Sequence, residues 1–304
     1  MKIGIISSAE YGIPLLQLLK SNGITASVFT DAAFIEQSAA IRHFCQMAGI
    51  PETSGRQSDL YDWLRAEKPD MVFMMGYAHL VDPGKLSHTL SQHFYNIHFG
   101  ALPHFRGPQP VFWQLKLGES FLTTTIHRIN HKFDDGGIVW QKKIARAPHH
   151  SYGVVHTLLG QISLEGVVFL ISCFMNKKEI MEVEQDQAKG KYYKRPRLKD
   201  IQINWGIMAA EEIVNLVQAC NPWNKGASTF FQGNEIKIID AEVQSGSYEG
   251  IGISPGRIMN AGKTLDVLCS DGKLLSLHML NVNGIFYPAR HSPFIGLIVG
   301  HQFI

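Results

Sequence analysis

Asn96 and His98 stand two residues apart in the segment F-Y-N-I-H, Phe94 to His98, whose composition predicts a β-strand. Side chains alternate along a strand, so these two leave the same face. Together they offer a hydrogen-bond donor beside a group that can carry a proton. The pair is therefore a candidate site for acid–base chemistry.

A second candidate is the acidic pair of F-D-D-G-G, Phe133 to Gly137, which follows a threonine-rich strand predicted over Leu122 to Ile129. If that strand lies beside the first, Asp134 can reach His98. Such a stretch is more often an ordinary turn than a site. One histidine among 14 is also seldom catalytic on its own. Neither feature alone establishes a function.

Other residue patterns exclude some chemistries. The loop Ser7 to Gly12 lacks the G-x-G-x-x-G pattern, which disfavours a nucleotide-binding dehydrogenase. His127 and His131 are four apart on a predicted strand and its turn, so they do not share the face that a metal site needs. The four cysteines contain no C-x-x-C pair, so we expect neither zinc nor disulfides.

The first half of the chain alternates β-branched runs with helical patterns, which predicts a doubly wound, mostly parallel sheet covered by helices. Predicted strands cover residues 2–7, 24–30, 71–75, 94–98 and 122–129, and predicted helices cover 14–21, 36–48, 59–67 and 110–117. Open α/β sheets bind ligands at the carboxyl ends of their strands. Asn96 and His98 lie at such an end, below a tight loop over Gly100 to Gly107.

The length of 304 residues favours two domains. Lys189 to Lys199 has six basic residues in eleven and predicts a solvated linker. Ala209 to Cys220 is an amphipathic helix, followed by short strands between glycine-rich turns, which predicts a small barrel. We expect a catalytic domain over 1–188, a linker over 189–204 and a carboxyl-terminal barrel over 205–304.

Composition limits the protein class. Apolar residues make up 45% and charged residues 18%, which excludes disordered and fibrous classes. The longest apolar run, Gly166 to Met175, is shorter than the ~18 residues of a membrane span and predicts a buried helix. With no signal-peptide pattern either, we expect a cytoplasmic protein without a membrane partner. The net charge is +2, but residues 205–304 carry −2 and present no basic face for nucleic acid.

Three sequence motifs, taken in their order along the chain, resemble those of a known family. Asn96-Ile97-His98, the loop Leu102-Pro103-His104-Phe105-Arg106-Gly107 and the turn Asp134-Asp135-Gly136 resemble the 10-formyltetrahydrofolate-dependent formyltransferases. The resemblance is to the group that contains methionyl-tRNA formyltransferase and the amino-sugar formyltransferases. It covers nearly the whole chain and implies a Rossmann-like catalytic domain with an OB-like barrel after it.

The resemblance also implies the site. Asn96, His98 and Asp134 would be catalytic, with 10-formyltetrahydrofolate as cosubstrate and no metal. The pterin would be bound by residues after the strand at 71–75 and in the turn at 131–134, namely Met75, Gly76, Tyr77, Leu80, Val81, His131, Lys132, Phe133 and Asp134. The acceptor would meet the loop residues Gly100, Leu102, Pro103, Arg106 and Gly107.

Each catalytic residue has a physical task in formyl transfer. An amine attacks the formyl carbon and forms a tetrahedral oxyanion, and the departing folate nitrogen needs a proton. Asn96 and His98 would stabilise the oxyanion. Asp134 would orient His98, raise its pKa and take the proton that the amine loses.

The acceptor stays open at this stage. Asp31 to Gly49 has no basic insertion of the kind that grips tRNA in the tRNA enzymes, and Phe99-Gly100-Ala101 departs from the pattern of both groups. We therefore expect a small primary amine, such as a nucleotide-linked amino sugar. Methionyl-tRNA is the alternative, supported by the basic linker. A 10-formyltetrahydrofolate hydrolase and a non-catalytic folate-binding protein are further alternatives.

Overall fold

The computed structural model describes residues 1–248 and 252–304. The chain forms two compact units. The first comprises Met1–Pro110, Phe121–Ile144 and His156–Lys194, and the second comprises Val111–Ser120, Ala145–Val155 and Arg195–Ile304.

Strands and helices alternate through the first part of the chain. The strands are β1 Lys2–Ser7, β2 Thr25–Asp31, β3 Glu52–Gly55, β4 Met71–Met75, β5 Phe94–His98, β6 Phe121–Arg128 and β7 Ile138–Ala145. The helices are α1 Ile13–Ser21, α2 Ile35–Ala48, α3 Leu60–Glu67, α4 His88–Ser91, α5 Pro110–Lys116 and α6 Tyr152–Met175. Short 3₁₀ helices occupy Glu10–Gly12, Ala32–Phe34, Gln57–Asp59, Pro83–Lys85 and Gln187–Lys189.

The first sheet has seven strands in the order β3-β2-β1-β4-β5-β6-β7. Strands β3, β2, β1, β4 and β5 are parallel, and β6 is antiparallel to β5. The chain order reverses between β1 and β4, where a doubly wound sheet opens a ligand crevice. The predicted doubly wound, mostly parallel sheet is confirmed.

Burial explains why the central strands form. All five residues of β4 are apolar and buried, as expected for a strand covered on both faces. On one face, α3 packs Leu60, Trp63 and Leu64 against Phe29 and Val72. The i, i+3, i+4 spacing of these helix residues points them to the same side. Each such side chain stabilises the fold by ~1.5 to 3 kcal/mol relative to exposure.

Helix α6 is longer than the sequence suggested. The apolar run Gly166 to Met175 forms only its last part, and the whole helix of 24 residues is long and apolar enough to cross a membrane by length and composition alone. The estimate of ten residues is therefore too short. Leu159, Val167 and Leu170 are fully buried in the protein core. Val168, Phe169 and Met175 on the same helix are exposed, so the helix is buried on one side only.

The second unit holds α7 Leu198–Ile201, α8 Ala210–Cys220, β8 Ala227–Phe231, β9 Asn234–Ser247, β10 Ile258–Ala261, β11 Leu265–Leu268, β12 Lys273–Val282, β13 Ile285–Pro288 and the 3₁₀ helix Ala289–Ile295. Its antiparallel strands follow the order β10-β11-β12-β9-β8, with β13 paired to β12.

The last residues of the chain join the two ends of this sheet. Phe303 donates its N–H to the Gly256 carbonyl beside β10 at 2.9 Å, and Ile304 exchanges two backbone hydrogen bonds with Phe230 of β8 at 2.9 and 3.2 Å. The sheet thereby closes, which confirms the predicted barrel.

Candidate active site

The antiparallel pair β5 and β6 forms the floor of the site. Asn96 lies directly opposite His127, and His98 lies opposite Thr125. Alternation places all four side chains on one face. His98 is 7% exposed and His127 is 2% exposed, so both imidazoles are removed from water.

A turn after β6 carries Asp134 to this pair. Asp134 has a left-handed backbone with φ of 53°, and a β-carbon on Gly136 would collide with the Arg128 carbonyl oxygen, so the turn requires glycine there. Asp134 Oδ1 lies 3.1 Å from Asn96 Nδ2 and 3.4 Å from His98 Nδ1. The structure thus brings together the three residues expected to be catalytic.

The amide nitrogen of Asn96 has two partners. Its Nδ2 atom donates to Asp134 Oδ1 at 3.1 Å and lies 3.0 Å from His127 Nε2. His127 Nδ1 lies 2.7 Å from the Arg128 carbonyl oxygen, which assigns the proton to Nδ1 and leaves Nε2 as an acceptor. Asn96 must therefore release one of these two bonds to donate to an oxyanion.

Both ring nitrogens of His98 face acceptors. Nε2 lies 2.6 Å from the Phe105 carbonyl oxygen and Nδ1 faces the Asp134 carboxylate. Only the imidazolium form satisfies both acceptors at once. Burial lowers the pKa of His98, while Asp134 and the Phe105 carbonyl act to raise it. Burial outweighs these two effects, so the pKa of His98 lies below its usual range and the neutral ring is favoured before the reaction begins.

Asp134 stays ionised in this environment. Burial alone would raise its pKa, but His98 and the Gly107 N–H act against burial, and the pKa lies below the usual range. The Gly107 N–H donates to Asp134 Oδ2 at 2.8 Å. A buried carboxylate beside two imidazoles is suited to orienting them and to accepting a proton in a reaction.

The loop above the site is held from below. A β-carbon on Gly100 would lie 2.6 Å from Nε2 of His98, so only glycine allows this close approach. Thr125 Oγ1 donates to the Gly100 carbonyl at 2.6 Å. Gln141 donates to Thr125 at 2.9 Å and to the Leu102 carbonyl at 3.3 Å. Leu102 is buried within this network.

Arg106 faces the protein. Its guanidinium forms an ion pair of 2.7 Å with Asp135 and donates to Gln185 at 2.8 and 3.0 Å and to Gln187 at 3.0 Å. Its side chain is 12% exposed. The contacts with Asp135 and Gln185 clamp the loop to the Asp134 turn, and the expected acceptor contact of Arg106 stays a prediction.

The segment Lys191 to Tyr193 covers the same loop. The Lys191 N–H donates to the Pro103 carbonyl at 3.1 Å, and the backbone of Arg106 pairs with Lys191 and Tyr193 at 3.0 and 2.8 Å. This part of the basic segment is therefore paired and not a free connection. Tyr192 lies close to Gly107, where a β-carbon would be 3.1 Å from its ring.

The residues expected to bind the pterin lie in two segments. After β4, Met75 and Val81 are buried, Leu80 is half-buried and Gly76 is exposed. The Tyr77 hydroxyl is buried and has no hydrogen-bond partner in the part of the chain that the structure describes. The ring of Tyr77 packs against Phe29, so in this structure its hydroxyl is not open to a ligand.

The turn after β6 supplies the second segment. His131 Nδ1 lies 3.4 Å from Asp82 Oδ1, which links the two segments next to Val81. Phe133 is 43% exposed, and Lys132 is exposed with its N–H bonded to Asn130. These two segments can line one pocket, although their contact with a pterin stays a prediction.

Sequence reasoning missed His127 and Gln185. His127 was weighed only with His131 as a metal pair, whereas its partner is Asn96, 31 residues away. The alternation of Thr123, Thr125 and His127 in a predicted strand was the available signal. Among the residues that the structure describes, no group of three metal-ligating side chains occurs.

Two family models match the chain. Residues 12–159 match the model described as formyl transferase, and residues 197–284 match formyl transferase, C-terminal domain. A methionyl-tRNA formyltransferase from Pelotomaculum thermopropionicum is 26% identical over 231 residues, which cover 75% of this chain and 71% of the relative.

Solved structures share the fold. The N-formyltransferase from Helicobacter canadensis, in complex with folinic acid and dTDP-3-aminofucose, has a TM-score of 0.72 at 16% identity and covers 91% of this chain and 98% of its own. WlaRD, a sugar 3N-formyl transferase in the presence of dTDP and 5-N-formyl-THF, has a TM-score of 0.71 at 16% identity, covering 91% and 97%.

Proposed function

This chain belongs to the formyl transferase family and is a folate-dependent formyltransferase, and we propose that it moves the formyl group of 10-formyltetrahydrofolate to a small primary amine, such as a nucleotide-linked amino sugar. The observation that carries the chemistry is Asp134 Oδ1, which lies within 3.1 to 3.6 Å of nitrogen atoms of Asn96, His98 and His127. An ionised carboxylate among these groups can accept the proton that the amine loses and can orient the imidazole that protonates the folate nitrogen.

The residues of the site can account for each proton that moves during the transfer. The neutral amine attacks the formyl carbon, and the carbonyl oxygen becomes an oxyanion that Asn96 and His98 can stabilise. Asp134 takes the proton that the amine loses. The bond from the carbon to the folate nitrogen breaks, and the nitrogen leaves with a proton supplied through the imidazolium of His98. Neither a metal nor a covalent enzyme intermediate is needed.

The structure after β2 supports a small acceptor. Asp31 ends β2, Ala32–Phe34 forms a 3₁₀ helix and α2 follows at once, with no basic loop between them. The one Lys or Arg of this region is Arg42, whose Nε lies 3.7 Å from Glu52. A surface that neutralises several phosphates normally needs clustered basic residues.

Methionyl-tRNA is the second candidate. It is favoured by the similarity of this chain to the methionyl-tRNA formyltransferase from Pelotomaculum and by the basic residues in Lys189 to Lys199. The hydrolase and the non-catalytic folate-binding protein are the remaining alternatives.

One experiment separates these functions. Purified protein receives 10-formyltetrahydrofolate with a panel of amino-sugar nucleotides, with initiator methionyl-tRNA, or with no acceptor, and release of tetrahydrofolate is followed. We expect release that depends on an amino sugar and is abolished in Asp134→Ala. Release with tRNA alone would select the second candidate. Equal release without acceptor would indicate a hydrolase, and no release under any condition would contradict an active transferase.

A further inference from the structure

Gln185 lies behind the catalytic turn in the segment between α6 and the basic residues. Its side chain is 5% exposed, so an amide at this position must find partners inside the protein. Its Nε2 atom donates to the Asp134 carbonyl at 2.9 Å and to the Gly136 carbonyl at 2.7 Å. Both N–H groups are therefore used on the turn that presents Asp134.

The other end of the same amide holds the opposite loop. Gln185 Oε1 accepts from Nε and Nη2 of Arg106 at 3.0 and 2.8 Å. Arg106 directly precedes Gly107, whose N–H donates to Asp134 Oδ2. The buried side chain of Gln185 thus contacts both the turn that carries Asp134 and the loop whose backbone binds the Asp134 carboxylate.

The backbone of Asp134 explains why this support matters. Its φ of 53° lies in the left-handed region, which is uncommon for a residue with a side chain and is unfavourable without support from its surroundings. The hydrogen bonds that Gln185 donates to the Asp134 and Gly136 carbonyls help to hold the turn in that conformation. A relaxed turn would move the carboxylate away from His98.

We propose that Gln185 is a positioning residue for the formyl-transfer reaction, which it serves by fixing Asp134 at hydrogen-bonding distance from His98 and Asn96. It does not itself contact the reacting atoms. Because this role rests on the proposed function, its test includes a measurement that does not depend on turnover.

The test compares Gln185→Met with Gln187→Met. Methionine matches glutamine in length and adds no charge. Gln187 also accepts a hydrogen bond from Arg106, at 3.0 Å, but it is exposed and does not contact the turn. We expect kcat of Gln185→Met to fall ~10 to 100-fold, as for a misplaced catalytic group. The Gln187 variant should stay within about threefold of the unchanged protein.

The second measurement is the titration of the His98 ring by nitrogen NMR. His98 is faced by the Asp134 carboxylate, by the Phe105 carbonyl and by the ring of His127. If Gln185→Met displaces Asp134, the His98 titration moves to lower pH because burial then acts with less opposition. The Gln187 variant should titrate like the unchanged protein.

The outcomes are distinct. Loss of turnover with a shifted titration supports the role of Gln185, and unchanged turnover or an unchanged His98 titration in Gln185→Met overturns it. If Gln185→Met fails to fold, Gln185→Asn, whose shorter amide cannot span both loops, takes its place under the same criteria. Failure of both to fold, with Gln187→Met folded, makes Gln185 a requirement for folding and also overturns the proposal. If the unchanged protein transfers no formyl group, the proposed function fails, while the titration still decides on Gln185.

Discussion

The amide nitrogen of Asn96 lies 3.0 Å from Nε2 of His127, directly across the β5–β6 pair. His127 is fixed in turn by its bond to the Arg128 carbonyl. The orientation of the amide therefore depends on a histidine whose Nε2 atom also lies 3.6 Å from Asp134 Oδ1. His127 positions Asn96, as Gln185 positions Asp134.

Replacing His127 tests this dependence. We expect His127→Phe to lower kcat by about 10-fold or more, because Asn96 loses the acceptor that orients its N–H groups. KM for folate should change less. Steady-state rates for this variant and for His43→Phe, an exposed histidine of α2, make the comparison. Equal rates in the two variants would remove His127 from the mechanism.

The three catalytic residues have larger expected effects. Asn96→Ala, His98→Ala and Asp134→Ala should each lower kcat by ~10²-fold or more, as expected for lost oxyanion or proton-transfer groups. Thermal melts establish that each variant is folded. Near-normal turnover in two of the three folded variants would refute the site.

Replacing Arg106 distinguishes a structural role in holding the loop from a role in binding the acceptor. Removing one partner of a buried ion pair costs ~3 kcal/mol, so Arg106→Met should lower the melting temperature and kcat together. The control Arg65→Met breaks an exposed pair with Asp62 and should cost less than ~1 kcal/mol. An increase confined to KM for the acceptor, with an unchanged melting temperature, would show that the guanidinium binds the acceptor.

His156 makes the stability of the first unit depend on pH. Its ring packs against Tyr11 and Phe99, and burial lowers its pKa to about 4. The unfolded chain takes up the proton near pH 6.5, so stability is full above that pH and falls as the pH drops towards 4. The loss is about 3 kcal/mol. His156→Phe should flatten this part of the profile in chemical denaturation, and an unchanged slope would show that other groups cause it.

The acceptor has a signature in its response to salt. For tRNA held by six or more phosphates, affinity should fall ~10³-fold or more between 50 and 200 mM salt. We expect a shallow dependence, because Arg42 is paired and the region after β2 has no other basic residue. Titration of initiator methionyl-tRNA and of a sugar nucleotide at several salt concentrations measures both slopes. Tight, salt-sensitive tRNA binding with rapid formylation would reverse our order of candidates.

The sequence predicted the elements whose patterns are local. The bounds of β1, β4 and β5 agree with the prediction, because each is a short run of residues typical of strands. Strand β3, Glu52–Gly55, was not predicted, since E-T-S-G has neither alternation nor apolar character. It pairs along β2 at the edge of the sheet, and only that partner defines it.

The sequence predicted those site residues that belong to recognisable motifs. Asn96, His98 and Asp134 could be identified, and the structure brings them together. His127 and Gln185 could not, because their roles depend on strand register and on a chain reversal across 31 and 51 residues. No local spacing encodes contacts of that range.

The closing contacts of the barrel also leave less of its strand edges open to other chains. An unpaired strand edge is a template on which another chain can add a strand and begin to aggregate. Here Phe303 and Ile304 cover the outer edges beside β10 and at β8, and Ile203 adds a bond to Ser228 of β8. These few residues occupy backbone groups at both edges that could otherwise pair with a strand of another chain.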